Sequence, residues 1–262
     1  MLPIIVHSLF RKLFGTSFRN LVMDRLVFNF GALFLTLLLF AHCGRSNMPH
    51  ATNSAMPDTS QLSYTLRYLA LGDSYTIGQS VAEHERFPYL TVALLRTQNI
   101  PIADPQYIAT TGWTTLDLLE AIDETQGLGT YDVVSLLCGV NDQYQHLDTA
   151  GYRRRFAQLL DKATVLAANR THRVFVLSIP DYSATPFVAE ADKARVRDEI
   201  NTFNIINKEL TLSRNISYID ITPLTREAAA DASLLANDHL HYSGKEHQLW
   251  AMLLAPIIKQ NL

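Results

Sequence analysis

Cysteine is scarce in this sequence: its 262 residues hold two, Cys43 and Cys138. Two cysteines make no disulfide framework, so a packed core must hold the fold together. An excess of one charge is also missing. Twenty-two Lys and Arg face 25 Asp and Glu, a formal net charge of −3, which offers no electrostatic attraction to nucleic acid. No internal repeat and no low-complexity block interrupts the chain, which excludes solenoid and array architectures. Nor does any apolar run reach the ~20 residues that a membrane-spanning helix needs. What is present is an ordinary globular composition, 48% hydrophobic and 18% charged, at a length that allows one medium domain and something extra.

The extra lies at the N-terminus. Residues 26–41 form an apolar stretch behind Arg19 and Arg25, most apolar over residues 32–40. A basic flank before a short apolar core predicts a signal peptide, and Met23 would start one of ordinary length. Phe40-Ala41-His42-Cys43 resembles the lipobox of bacterial lipoproteins, whose cysteine is acylated and becomes the mature N-terminus. It departs from that pattern at His42, where the motif has Gly, Ala or Ser, and at Phe40, where it prefers Leu. Three fates stay open: membrane attachment through acylated Cys43, ordinary cleavage, and an uncleaved anchor. The expectation common to them is export, to the periplasm, to the membrane as a lipoprotein, or into the medium. Residues 44–64 are small and polar without hydrophobic periodicity, and are expected to be a flexible tether. That leaves residues 1–43 as leader and 65–262 as the folded domain.

Within 65–262 the chain alternates. Short apolar runs at 68–71, 107–110, 133–138, 174–179 and 216–221 have strand length and end at Gly, Pro, Asp or Thr. Between and after them come helical spacings: Phe156, Leu159, Leu160, Ala163, Leu166, then Val196, Ile200, Phe203, Ile206, Leu210, then Leu249, Trp250, Leu253, Leu254, Ile257, Ile258. Thr114 followed by Asp117 predicts a capped helix start, with Trp113 and Leu118 placed to staple it. Strands alternating with helices, and nearly continuous in apolar character, predict an α/β fold with a parallel sheet covered on both faces. In such sheets ligands bind beyond the C-terminal strand ends.

Four stretches fall at those ends or in the last loop. They are Leu71-Gly72-Asp73-Ser74-Tyr75-Thr76-Ile77-Gly78, Thr110-Thr111-Gly112-Trp113-Thr114, Cys138-Gly139-Val140-Asn141-Asp142, and Asn237-Asp238-His239-Leu240-His241-Tyr242-Ser243. From about Tyr68 to its end the chain resembles the GDSL/SGNH hydrolases, whose four blocks these stretches match in order. The resemblance implies a three-layer α/β/α fold with five parallel strands in flavodoxin-like order. It also implies a serine esterase or lipase acting on small-molecule, glycan or lipid esters, with neither cofactor nor metal. Ser74, His241 and Asp238 would form the catalytic triad. The oxyanion hole would use the Ser74 and Gly112 backbone N–H groups and the Asn141 side chain.

The chemistry accounts for those residue types. A serine hydroxyl attacks poorly until a base within hydrogen-bond reach takes its proton. Histidine is suited to that task near neutral pH, and a carboxylate such as Asp238 holds the imidazole in the needed tautomer. The oxyanion formed by attack needs donors already in place. Plainer readings compete. Ser74 could only cap a helix, Gly112 could only make a turn, and Asn141-Asp142 could only end a strand. Asp73 reads as a structural residue orienting its loop. The Asp-x-x-His spacing of the family it resembles implies His241 over His239, which reads as a loop or pocket-rim residue. Cys138, inside an apolar run, reads as a small buried hydrophobe. Tyr75, Trp113, Tyr144 and Tyr182 are pocket candidates, with core or surface packing as the alternative. Two rival functions remain: a metal-dependent hydrolase using Asp238, His239 and His241, and a non-catalytic binding module on the same fold.

Overall fold

A computed structural model describes residues 64–262 of the chain. The leader, Cys43 and the tether up to residue 63 lie outside the described residues. Five strands form one sheet: β1 (Tyr68–Gly72), β2 (Gln106–Ala109), β3 (Val133–Leu137), β4 (Val174–Leu177) and β5 (Ser217–Ile219). Their order is β2-β1-β3-β4-β5 and every pairing is parallel. All five lie on the apolar runs expected from the sequence, shifted or shortened by a few residues. Every residue of β1, β3 and β4 is buried, as a sheet covered on both faces demands. The edge strands β2 and β5 are only half-covered, so their apolar signal is weaker.

Among the described residues, eight α-helices connect or follow these strands: α1 (Ser74–Ile77), α2 (Phe87–Thr97), α3 (Thr115–Glu124), α4 (Val140–Tyr144), α5 (Thr149–Leu166), α6 (Lys193–Ser213), α7 (Thr222–Arg226) and α8 (Gly244–Gln260). Helix α2 packs against α8, while α5 packs between α3 and α6, which gives the three-layer α/β/α arrangement. The expected apolar stripe of α5 is wholly buried, from Phe156 through Leu166. In α6 the buried positions include Val196, Ile200, Phe203 and Ile206, and in α8 they include Trp250, Leu254 and Ile258. Helix α2 goes beyond the sequence expectations; Pro88 stands in its first turn, where a missing N–H costs nothing.

The Thr114 cap takes the expected form. Its backbone N–H donates to Asp117 Oδ2 at 2.8 Å, and the Asp117 N–H donates back to Thr114 Oγ1 at 3.3 Å. Trp113 is half-buried against the core and does not line the cleft described below, so its place among the pocket candidates is corrected. Cys138 is fully buried, and burial pushes its thiol well above the usual range. No helix among the described residues is long and apolar enough to cross a membrane.

Candidate active site

The C-terminal ends of β1 and β3, and the turn after β2, converge on one cleft of about 180 Å³. Ser74, Gly112, Asn141 and His241 all line it, with Tyr75, Tyr144, Tyr182, Phe187 and Leu240. Three chain reversals present the polar groups.

The first reversal follows β1. Asp73 caps α1 by accepting the Tyr75 backbone N–H at 3.0 Å, which starts a helix at Ser74 immediately beyond the strand. The Ser74 N–H therefore sits in a first turn, where no intrahelical acceptor exists, at the positive end of the helix. Asp73 is itself buried, and burial pushes its carboxyl up to about 7 against the pull of the Tyr75 and Gly139 N–H groups. Its other oxygen, Oδ2, has no partner. The structural role read from the sequence is what the geometry displays.

The second reversal is at Gly112. Its φ of 86° lies in the left-handed region, which glycine adopts without a Cβ penalty. A Cβ there would meet no atom within 4 Å, so backbone conformation and not crowding calls for glycine. Gly112 is exposed and lines the cleft.

The third reversal, at Gly139 (φ 136°), starts α4 and sets Asn141 into the cleft. Here crowding does matter, because a Cβ would come within 2.6 Å of Tyr152 Oη. Asn141 Nδ2 donates to the Trp113 carbonyl at 2.9 Å. A carbonyl only accepts, so this contact fixes which end of the amide carries nitrogen and leaves one N–H uncommitted. Asp142, fully buried, accepts the Thr115 N–H at 2.8 Å, the Thr115 hydroxyl at 2.6 Å and Arg155 Nη2 at 2.9 Å. Arg155 Nε in turn donates to Thr115 Oγ1 at 2.9 Å. Thr115 and Arg155 thus lock the Gly112 and Asn141 turns to each other, and neither residue was marked by the sequence reading.

The last loop brings Asp238 and His241. His241 Nδ1 lies 2.7 Å from Asp238 Oδ2, and the ring is mostly covered, with its side chain 12% exposed. Burial alone would raise the Asp238 carboxyl. The Ser80 hydroxyl, the Leu240 and His241 backbone N–H groups and the His241 ring more than reverse this and hold it well below the usual carboxylate range. An ionised Asp238 only accepts, so Nδ1 of His241 carries a proton toward it. No hydrogen bond joins Ser74 Oγ to His241 here, and in sites of this kind that contact tightens when substrate binds. His239 is exposed at φ 57° and stands outside the cleft lining. Among the described residues no group of three His, Cys, Asp or Glu is placed to hold a metal ion.

An aromatic wall completes the cleft. Tyr144, Tyr182 and Phe187 have ring centroids 6.3–6.5 Å apart, and Tyr144 and Phe187 remain 54% and 49% exposed. Phe187 lies in a loop without periodicity, so no sequence signal pointed to it. On the opposite side Tyr75 meets His241 edge-on at 5.6 Å and rests on Tyr242 and Trp250.

The chain matches the GDSL-like lipase/acylhydrolase family over residues 70–249. Solved structures share its fold at low identity. A lipase from a goat rumen metagenome is 20% identical with a TM-score of 0.61, over 74% of this chain and 97% of that one. The psychrotrophic esterase EstA from Pseudoalteromonas sp. is 16% identical with a TM-score of 0.57, over 74% and 97%. The acetyl xylan esterase Axe2 of Geobacillus stearothermophilus, solved as a point variant, is 18% identical with a TM-score of 0.54, over 74% and 94%. No curated protein sequence matches the chain.

Proposed function

The chain belongs to the GDSL-like lipase/acylhydrolase family and is a carboxylic ester hydrolase, and from that premise we propose that it works through an acyl-enzyme on Ser74. His241 Nε2 takes the Ser74 hydroxyl proton as Oγ bonds to the ester carbonyl carbon. The electron pair of the C=O bond moves onto oxygen, and that oxyanion is met by the Ser74 and Gly112 N–H groups and the free Asn141 Nδ2–H. Collapse breaks the bond to the alcohol oxygen, which leaves with the proton from the imidazolium. Water then repeats the sequence on the acyl-enzyme, again with His241 as base, and releases the acid. Asp238 stays ionised throughout and stabilises the imidazolium. The observation that carries this reading is the Asp238–His241 pair opening on the same cleft as Ser74, Gly112 and Asn141.

The cleft lining supports a reading of the substrate class. Tyr144, Tyr182 and Phe187 offer apolar area and no charge, which favours esters with an apolar acyl group. Acetylated sugars are the second reading, because exposed aromatic faces such as Tyr144 and Phe187 also suit sugar rings. Esters met outside the cytoplasm agree with the leader pattern, so export belongs to the proposal. Fatty-acid labelling that vanishes in Cys43→Ala would identify lipid attachment, and its absence with a shortened N-terminus would identify plain cleavage.

A fluorophosphonate probe tests the mechanism. It should label the wild-type protein at Ser74 and leave Ser74→Ala unlabelled. His241→Ala should lose nearly all turnover of a chromogenic ester, while His239→Ala keeps most of it. The opposite behaviour of the two histidine variants would overturn the choice of base. Turnover across acyl lengths should rise from acetyl to longer chains; a preference for acetylated sugars would replace the acyl-lipid reading with the carbohydrate one.

A further inference from the structure

We propose that Ser80 is a positioning residue of the reaction centre, holding the Asp238 carboxylate in the orientation that His241 requires; the inference rests on the triad reading above. Asp238 lies in an irregular loop whose ends meet at the bridge of Leu235 with Tyr242 and at the Ser243 hydroxyl, which donates to the Ser233 carbonyl at 2.7 Å. Its oxygens receive four hydrogen bonds. Three come from within its own loop: the Leu240 N–H at 3.0 Å and the His241 N–H at 2.9 Å on Oδ1, and His241 Nδ1 at 2.7 Å on Oδ2. The fourth comes from Ser80, 158 residues away, whose hydroxyl donates to Oδ2 at 2.5 Å. Beside the packing of Tyr75 on His241 and Tyr242, Ser80 therefore gives the acid loop a hydrogen bond to the segment that carries Ser74.

The Ser80 segment is itself anchored. The Gln79 N–H donates to the Ser74 carbonyl at 2.9 Å, closing α1, and the Thr111 hydroxyl donates to Gln79 Oε1 at 2.7 Å. One short turn thus contacts the nucleophile helix, the segment of Gly112 and the carboxylate behind the base. Ser80 occupies this place with φ at 68°, in the left-handed region. A side chain there costs about 1 kcal/mol or more, and such strain persists where the surroundings impose it. Glycine would fit the backbone with less strain, and what serine adds to it here is the hydroxyl on Asp238 Oδ2.

That hydroxyl acts in two ways. It fixes the carboxylate's rotation, so that Oδ2 faces Nδ1 instead of pivoting on the Oδ1 contacts. It also takes up part of the charge on Oδ2. Without it, Asp238 protonates more readily, which moves loss of activity toward higher pH. The Asp238 side chain is 33% exposed, so water replaces part of the lost bond and the effect is graded.

The experiment compares Ser80→Gly and Ser80→Ala with wild type and with His241→Ala on one chromogenic ester. Ser80→Gly should lower kcat about 10-fold, leave KM within about twofold, and melt at or above the wild-type temperature because the backbone strain is relieved. Ser80→Ala should show the same loss of kcat with a lower melting temperature. In both, the midpoint of the acidic limb of the kcat/KM profile should move up by at least about 0.3 pH unit. A Ser80→Gly enzyme with kcat within about twofold of wild type, or one slowed with an unmoved acidic limb, would overturn the proposal. If that occurs while His241→Ala is inactive, the triad stands and only the Ser80 role falls. An active His241→Ala enzyme would remove both.

Discussion

Replacing Asn141 with alanine separates an oxyanion donor from a residue that merely ends a strand, because the two roles act on different observables. In the folded protein one Nδ2 hydrogen is committed to the Trp113 carbonyl at 2.9 Å. That bond is a neutral, partly buried one, so its loss lowers stability by about 0.5–1.5 kcal/mol, or about 2–4 °C per kcal/mol in a domain of this size. The second hydrogen has no such partner, and Asn141 lines the cleft that Ser74 and Gly112 share. It gains its partner's full charge only as the carbonyl oxygen becomes an oxyanion, so its loss falls on the chemical step. Removal of one such donor costs about 2.7–4 kcal/mol, or ~10²–10³ in kcat. Asn141→Ala should therefore lose about 10²–10³ in kcat while KM changes only a few-fold. Steady-state kinetics alongside thermal melting is the assay. Asn141→Asp should be at least as slow, since a carboxylate would face both the Trp113 carbonyl and the developing negative charge. A folded Asn141→Ala enzyme with kcat within about threefold of wild type would refute the reasoning and reduce Asn141 to a strand-end residue.

Two further outcomes follow from buried charge. Arg155 is 20% exposed and its partner Asp142 is fully buried, so Arg155→Met should cost about 3 kcal/mol by stranding that carboxylate. It should slow turnover as well, because the Gly112 and Asn141 turns lose their brace; adding Asp142→Asn should recover part of the stability in a denaturant titration. Burial pushes the Glu246 carboxyl up to about 7, with Trp250 Nε1 donating to one oxygen at 2.7 Å and the other oxygen unpartnered. A carboxyl raised in the folded state stabilises the protein at low pH, and that contribution is lost as pH rises from about 4.3, its value in an unfolded chain, through about 7. Glu246→Gln should accordingly melt about 2–4 °C above wild type at pH 8 and converge with it near pH 5; parallel melting curves at both pH values would contradict this.

What the sequence determined by itself was local. Apolar runs such as 133–138 and 174–179 could be placed because a strand buried on both faces must be apolar at every position, wherever it pairs. The Thr114–Asp117 cap was legible because both partners lie within one helical turn. The pairing of Asp238 with His241 instead of His239 came from the family's Asp-x-x-His pattern, and the structure places the two 2.7 Å apart. The family resemblance then named Ser74, Gly112 and Asn141 without placing them in space. The tertiary structure decided the rest, since the order β2-β1-β3-β4-β5 brings strand ends together that are far apart in the chain. Ser80 reaches Asp238 across 158 positions. Thr115, Asp142 and Arg155 meet from three separate helices, and Phe187 joins Tyr144 and Tyr182 from a loop. Trp113, an aromatic beside a block glycine, turned its ring to the core and its carbonyl to Asn141. Periodicity and capping report only what a residue does with near neighbours. Hydrogen bonds and packing between distant segments depend on topology, and no local pattern encodes which hydroxyl, guanidinium or ring the fold will deliver to a strand's end.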